Sequence, residues 1–87
     1  MQSKWLEDFL LLAQERSFTR AAELRHVTHP AFGRRIRALE EWAGTPLIEA
    51  GGGPVRLTPA GEAFRDTAEQ MVRTLAQSHD ELQAVAG

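Results

Sequence analysis

The chain has 87 residues, of which 43% are hydrophobic and 25% are charged, a composition that indicates one small globular domain rather than a disordered segment. The absence of cysteine excludes disulfide bonds and thiolate metal sites, and the sequence shows neither a signal peptide nor a run of the roughly 20 apolar residues that span a membrane. We therefore expect a soluble intracellular protein, whose net charge of −2 conceals an uneven distribution of charges along the chain.

Two helices are predicted near the amino end. The segment "WLEDFLLLAQER" places apolar residues at helical spacing, on a stripe formed by Trp5, Phe9, Leu12 and Ala13. Ser17 precedes an alanine-rich stretch, which is typical of an N-cap, so the second helix is predicted over residues 17–25. Its residues available for the core are Phe18, Ala21, Ala22 and Leu24.

A third helix is predicted over residues 28–42, in the segment that begins "THPAFGRRIRALE". With Thr28 as N-cap, Pro30 falls in the first turn, where its missing N–H group had no intrahelical partner. Helical periodicity assigns a buried face to Phe32, Ile36 and Leu39, and an opposite face to Pro30, Arg34, Arg37 and Glu41. Gly33 lies between these faces and costs about 1 kcal/mol relative to alanine, so we expect another surface to approach the helix there.

A small hairpin is predicted next. Gly44 and Pro46 end the third helix, and residues 46–50 and 54–58 are two short runs joined by three glycines and a proline. Thr58 followed by Pro59 then repeats the signal of a capped helix start.

The fourth helix is predicted from residue 59 to residue 85, with apolar or small residues at heptad spacing. This stripe consists of Phe64, Ala68, Met71, Leu75, Ser78, Leu82 and Val85. A helix of that length measures about 40 Å, which exceeds what so small a domain covers. The outer part of the stripe is therefore expected to contact a second chain.

The cations are concentrated around the third helix. Residues 16–37 hold six arginines against one acid, whereas residues 58–87 hold two arginines against five acids. A basic segment that follows helix-turn-helix spacing favours nucleic acid as the partner.

The run "SFTRAAELRHVTHPAFGRRIRALEEWAGTPLI", followed by "VRLTPAGEAF", resembles the amino-terminal domain of LysR-type transcriptional regulators. The shared features, in order, are an alanine pair, a capped proline-bearing helix, Ile-x-x-Leu-Glu, Gly-x-x-Leu and Leu-Thr-x-x-Gly. The resemblance implies a mainly α fold, with a winged helix-turn-helix domain of three helices and a two-stranded wing over residues 1–58. It also implies a linker helix over residues 59–87 that forms a homodimer.

The resemblance further implies sequence-specific binding of a palindrome-like operator in double-stranded DNA, in the bacterial cytoplasm and without a cofactor. In this family a larger domain that binds a small-molecule effector follows the linker helix. We expect this chain, which ends at Gly87, to be the DNA-binding part without that domain.

The site residues follow from how helices read DNA. A helix in the major groove reads base edges near its amino end, where the candidates are His29, Pro30, Gly33 and Arg34. The planar fork of Arg34 suits a guanine, and Pro30 suits a thymine methyl group. Expected phosphate contacts, which set register without reading sequence, are Thr19, Arg20, Thr28, Arg35, Arg37 and Arg56. The expected dimer interface comprises Trp5, Met71, Leu75, Ser78, Leu82 and Val85.

The chain departs from the family pattern on the reading helix. His29 and Gly33 stand where family members usually carry glutamine and serine, so recognition is expected to depend on shape, water or Arg34. His29 has two equally weighted roles, base reading with a weak pH dependence and simple phosphate contact.

Two further departures affect the wing and the second helix. Ala50 and Gly53 stand where arginines are frequent, which leaves Arg56 as the only cation of the hairpin and predicts weaker wing binding. Arg25 stands where leucine is more common, which predicts a slightly rotated second helix.

Two alternatives to a DNA reader are an enzyme or metal site and a protein-interaction module. An enzyme or metal site is disfavoured because His26, His29 and His79 have no converging carboxylates, and the glycine run lacks the Lys-Ser/Thr of a phosphate-binding loop. The alternative is a protein-interaction module that dimerises through its long helix without reading DNA sequence. Preference for one duplex over a scrambled one distinguishes it from a DNA reader.

Overall fold

The computed structural model describes all residues from Met1 to Gly87 and contains four helices. They are α1 (Ser3–Glu15), α2 (Phe18–Leu24), α3 (His29–Ala43) and α4 (Pro59–Ala86). The predicted mainly α fold is confirmed, and each helix begins within two residues of its predicted start. None of the four helices combines the length and the apolar character needed to cross a membrane.

The three predicted N-caps are confirmed. The side-chain oxygen of Ser17 accepts a hydrogen bond from the Arg20 amide at 3.1 Å, and that of Thr28 accepts one from the Ala31 amide at 3.2 Å. Thr58 Oγ1 accepts from the amide of Gly61 at 3.0 Å. Each cap satisfies an amide that the first turn of its helix leaves without a partner. Because the cap and this amide are only three residues apart, the helix starts can be predicted from the sequence.

The core consists of two apolar clusters separated along α1. The first joins α1, α3 and α4 through Leu6, Phe9, Leu39, Leu47 and Ala68. The second joins α1, α2 and α3 through Leu12, Ala21, Ala22, Phe32 and Ile36. The predicted buried face of α3 is therefore confirmed. The prediction for Leu24 is wrong, because this side chain is 39% exposed and lies outside both clusters.

The two-stranded wing is not formed as predicted. A single antiparallel bridge between Ile48 and Leu57 pairs the two runs. It is formed by hydrogen bonds from the Glu49 amide to the Arg56 carbonyl at 2.8 Å and from the Thr58 amide to the Leu47 carbonyl at 3.0 Å. Beyond this bridge the second run is fastened to the end of α1, through Val55 and Arg16. The Val55 amide donates to the Arg16 carbonyl at 2.9 Å, and Arg16 Nε donates to the Val55 carbonyl at 3.0 Å.

The junction between α3 and α4 explains three of the sequence motifs. The Glu40 carboxylate accepts the amides of Leu47 at 2.8 Å and Ile48 at 3.1 Å, which fastens the loop to the end of α3. Gly61 lies against the Leu47 carbonyl so closely that a Cβ atom at residue 61 would overlap the carbonyl oxygen. Gly44, at φ 75°, ends α3 in the left-handed conformation that favours glycine. These residues set the direction in which α4 leaves the domain.

The outer half of α4 has no partner within the chain. Every residue from 73 to 87 is exposed, and the molecule extends 49 Å along its longest axis. The predicted excess of helix length over domain size is therefore present in the structure.

Candidate nucleic-acid interface

The exposed face of α3 is the centre of the candidate interface. Pro30, Arg34 and Arg37 are all exposed on it, opposite the buried face. The guanidinium groups of Arg34 and Arg37 make no hydrogen bond or ion pair with any other residue of the chain. Two unneutralised cations thus stand beside each other on one open helix surface.

Gly33 makes this surface unusually accessible. A Cβ atom built there would meet only Arg37 Nη1, at 3.9 Å, so no packing requirement of the fold explains the glycine. The missing side chain leaves the helix backbone at residue 33 uncovered beside the two arginines. Because glycine has no side chain, the edge of a base pair can approach the helix backbone more closely at residue 33 than it could if any other residue stood there.

His29 stands at the amino end of α3, on the side that faces α2. Its ring lies 5.8 Å from the ring of Phe18, centroid to centroid, at an interplanar angle of 51°. Phe18 in turn packs edge-on against the buried ring of Phe32, with centroids 6.0 Å apart. This contact orients an otherwise exposed imidazole at the border of the α3 surface.

The remaining phosphate candidates border the same surface with differing freedom. Thr19 and Arg20 are exposed at the start of α2, where Arg20 is loosely paired with Glu15 and Glu23, both at 3.7 Å. Thr28 accepts the capping hydrogen bond, which leaves its O–H group available as a donor. Arg56 is exposed on the loop and has no acidic partner.

Arg35 is placed differently from the other phosphate candidates. Its Nε and Nη2 atoms donate to the two oxygens of Asp8, at 2.7 and 2.6 Å, and this carboxylate is fully buried. These hydrogen bonds raise the pKa of the Arg35 guanidinium, against the opposing effect of desolvation. Arg35 is therefore a charged internal partner of Asp8. This ion pair explains why an arginine stands at residue 35, and no phosphate contact is needed to explain it.

Arg25 and Arg16 also have internal partners. Arg25 Nε donates to Asp8 Oδ1 at 2.8 Å, and Arg25 Nη1 lies 3.2 Å from Glu7 Oε2. Arg16 has φ 58°, in the left-handed region, and holds the loop through Val55. The six arginines of residues 16–37 thus divide into three with internal partners, one loosely paired and two free.

Sequence reasoning missed Asp8. The signal was present, because Asp8 lies on the stripe of Trp5 and Leu12, where a helix that packs on others normally carries apolar residues. A charge in that position requires a partner of opposite sign. What the sequence did not contain was the identity of the partners, which are 17 and 27 residues away.

The predicted dimer residues fall into two groups. Met71, Leu75, Ser78, Leu82 and Val85 all lie on exposed parts of α4, with Leu75 53% and Val85 87% exposed. Trp5 is half-buried, packs against the cluster that joins α1, α3 and α4, and also borders Ala38 and Arg34 of α3. The expected contact of Trp5 is with the linker helix of the second chain, and it stays a prediction.

Trp42 extends the apolar surface of α4 onto the domain, which sequence reasoning also missed. It is 55% exposed, and its ring lies 6.1 Å from that of Phe64. The two rings border an open groove whose other lining residues include Ala60, Ala63 and Thr67. The available signal was a tryptophan that lies off the buried stripe of Phe32, Ile36 and Leu39.

Comparisons with known proteins agree with this geometry. Residues 3–62 match the family described as bacterial regulatory helix-turn-helix protein, lysR family. The HTH-type transcriptional regulator YjiE of Escherichia coli K12 is 39% identical over 82 residues, which are 94% of this chain and 27% of that protein. The chain thus spans about a quarter of the length of this curated relative.

Solved structures are similar over nearly the whole chain. The crystal structure of Vibrio fischeri DarR in complex with DNA superposes with a TM-score of 0.96 at 45% identity, covering 99% of this chain and 30% of DarR. The crystal structure of a BenM_DBD/catB site 1 DNA complex superposes with a TM-score of 0.94 at 32% identity, covering 100% of this chain and 98% of that one. Both structures were described as complexes with DNA.

Proposed function

The chain belongs to the lysR family of bacterial regulatory helix-turn-helix proteins, and we propose that it is the sequence-specific DNA-binding part of a transcriptional regulator. In this proposal residues 1–58 form the DNA-binding domain and residues 59–87 the linker helix. Its relatives are described as transcriptional regulators, and we infer no enzymatic activity. The protein then acts in the bacterial cytoplasm, on the nucleoid when it is bound to DNA.

The exposed face of α3 is the observation that supports DNA binding most directly. The major groove of B-DNA, about 12 Å wide, admits one α-helix, and α3 presents two free guanidinium groups around a backbone that carries no side chain at Gly33. Arg34 makes a bidentate contact with guanine O6 and N7, and Pro30 contacts a thymine methyl group. Gly33 allows the bases or the backbone to approach, and His29 contacts the DNA at the border of this face.

Phosphate contacts come from residues that surround α3 and have a free donor. We assign this role to Thr19, Arg20, Thr28, Arg37 and Arg56. Arg35 is not assigned to it, because Asp8 occupies its guanidinium group. Phosphate contacts hold α3 in register, while Arg34 distinguishes the sequence.

A homodimer through α4 completes the proposed binding unit. Met71, Leu75, Leu82 and Val85 are exposed on one long helix whose outer half touches nothing else in the chain. A second copy covers this apolar surface and extends onto the groove beside Trp42. Two α3 helices then address half-sites about one or two DNA turns apart, which requires a palindrome-like operator.

Selection of binding sites from a random duplex library tests the proposal. We expect the 87-residue chain to enrich one palindrome-like sequence. It should bind this sequence at least about 10³-fold more tightly than a scrambled duplex at the same salt concentration. Equal and weak affinity for every duplex would instead identify a protein-interaction module that dimerises without reading DNA.

A further inference from the structure

A buried carboxylate links the three helices of the DNA-binding domain. Asp8 of α1 is fully buried, and its carboxylate accepts three hydrogen bonds, all of them from two arginines. Arg25 immediately follows α2, and Arg35 belongs to α3. One side chain of α1 therefore holds both helices of the helix-turn-helix through charged hydrogen bonds of 2.6 to 2.8 Å.

The ion pairs of Asp8 with Arg25 and Arg35 also determine which arginines are free to contact a partner outside the domain. Arg35 follows Arg34 directly, and both residues lie beside the amino end of α1, near Lys4 and Trp5. Without Asp8, the flexible Arg35 side chain would be one more cation at the flank of the helix that addresses DNA. With Asp8 in place, Nε and Nη2 of Arg35 point into the domain and donate to its carboxylate. Arg25 is held in the same way by Asp8 and Glu7.

We propose that Asp8 is a positioning residue for DNA recognition, which keeps Arg25 and Arg35 away from the phosphates and leaves Arg34 and Arg37 as the free cations of α3. This inference rests on the proposed binding of DNA through α3. Phosphate contacts bind every sequence equally well, so each cation withheld from the phosphates lowers non-specific binding and raises the ratio of specific to non-specific affinity. The departure from leucine at Arg25 has the same cause, because Arg25 is the second partner that the Asp8 carboxylate requires.

The salt dependence of non-specific binding measures how many cations of the domain contact phosphates. The plot of log K against log salt for B-DNA has a slope of about −0.9 for each phosphate contact, so the slope counts these contacts. If Asp8 had a purely structural role, its substitution would leave the number of contacts, and hence the slope, unchanged. The probe is a fluorescein-labelled 30-base-pair duplex of arbitrary sequence, titrated by anisotropy over a series of KCl concentrations. Circular dichroism melts in the same buffers establish that each variant is folded at the titration temperature.

Four variants separate the possible outcomes. Arg35→Gln should leave the slope unchanged, whereas Arg37→Gln should reduce its magnitude by about 0.9 per bound chain. Asp8→Asn should increase the magnitude by about 0.9 for each guanidinium that it releases. It should also tighten non-specific binding about tenfold at 0.1 M salt for each such contact. In the double variant Asp8→Asn/Arg35→Gln, the increase in the magnitude of the slope should be smaller by the part that the released Arg35 contributes.

A reduced slope in Arg35→Gln would overturn the inference, because Arg35 would then contact a phosphate in the native protein. A folded Asp8→Asn variant with the native slope would overturn it as well. If Asp8→Asn does not fold, the Arg35→Gln titration decides, since that variant keeps Asp8 paired with Arg25. Failure of the proposed function looks different: the unmodified chain would then show no preferred duplex, and Arg37→Gln would not alter the slope.

Discussion

Gly33→Ala should raise the stability of the domain and weaken its binding to DNA. Gly33 lies inside α3, away from both ends, and its Cβ position meets only Arg37 Nη1 at an ordinary contact distance of 3.9 Å. The free energy of unfolding should therefore increase by about 0.4 to 1 kcal/mol, because alanine loses less conformational entropy on folding. For a domain of this size the gain corresponds to a rise in Tm of roughly 2 to 8 °C.

The loss of DNA affinity follows from the same geometry. If the duplex approaches the backbone at residue 33, the added methyl group overpacks that contact, at a cost of about 1 to 3 kcal/mol. Calorimetry at fixed protein concentration measures the first effect, and anisotropy with the selected duplex measures the second. The concentration is fixed because dimerisation contributes to apparent stability.

Gly61→Ala is the matched control, since it makes the same chemical change in a helix of the same chain. There the methyl group would overlap the Leu47 carbonyl, so stability should fall by about 1 to 3 kcal/mol or more. A lower Tm in Gly33→Ala would refute the structural reasoning about α3. Unchanged affinity for the selected duplex would refute the close approach of DNA to this residue.

Four other substitutions test the remaining parts of the site and of the fold that holds it. Arg34→Ala should cost about 1 to 3 kcal/mol of affinity and relax preference at a single base pair in a competition assay, whereas uniform weakening would reduce Arg34 to a phosphate contact. Leu75→Asp should yield monomers in sedimentation equilibrium, and Trp42→Ala should raise the dimer dissociation constant about tenfold; a wild-type chain that sediments as a monomer at high micromolar concentration would disprove the interface. Glu40→Ala should lower the free energy of unfolding by about 1 to 3 kcal/mol in urea titrations, because two amides lose their acceptor. The exposed Glu41→Ala is its control, and equal effects of the two would show that the Glu40 hydrogen bonds do not stabilise the junction.

Features that depend on neighbouring residues could be predicted from the sequence. Ser17, Thr28 and Thr58 start helices because their side chains bond to amides three residues on, and nothing distant is required. The buried and exposed faces of α3 follow in the same way from helical periodicity. The positions of Arg34 and Gly33 on an open surface were therefore predictable, and so was the unpartnered outer half of α4.

Features that depend on how helices cross were decided only by the tertiary structure. The six arginines look equivalent in the sequence, but Asp8 accepts hydrogen bonds from Arg25 and Arg35, which packing of α1 against α2 and α3 brings within reach. The hairpin pattern predicted two strands, but the two runs share only the bridge between Ile48 and Leu57, and the second run is also bonded through Val55 to Arg16 at the end of α1. Caps and periodicity are contacts within about one helical turn, which the order of residues already specifies. Ion pairs and backbone pairing between distant segments depend on the relative placement of whole elements, and only the packed core determines that placement.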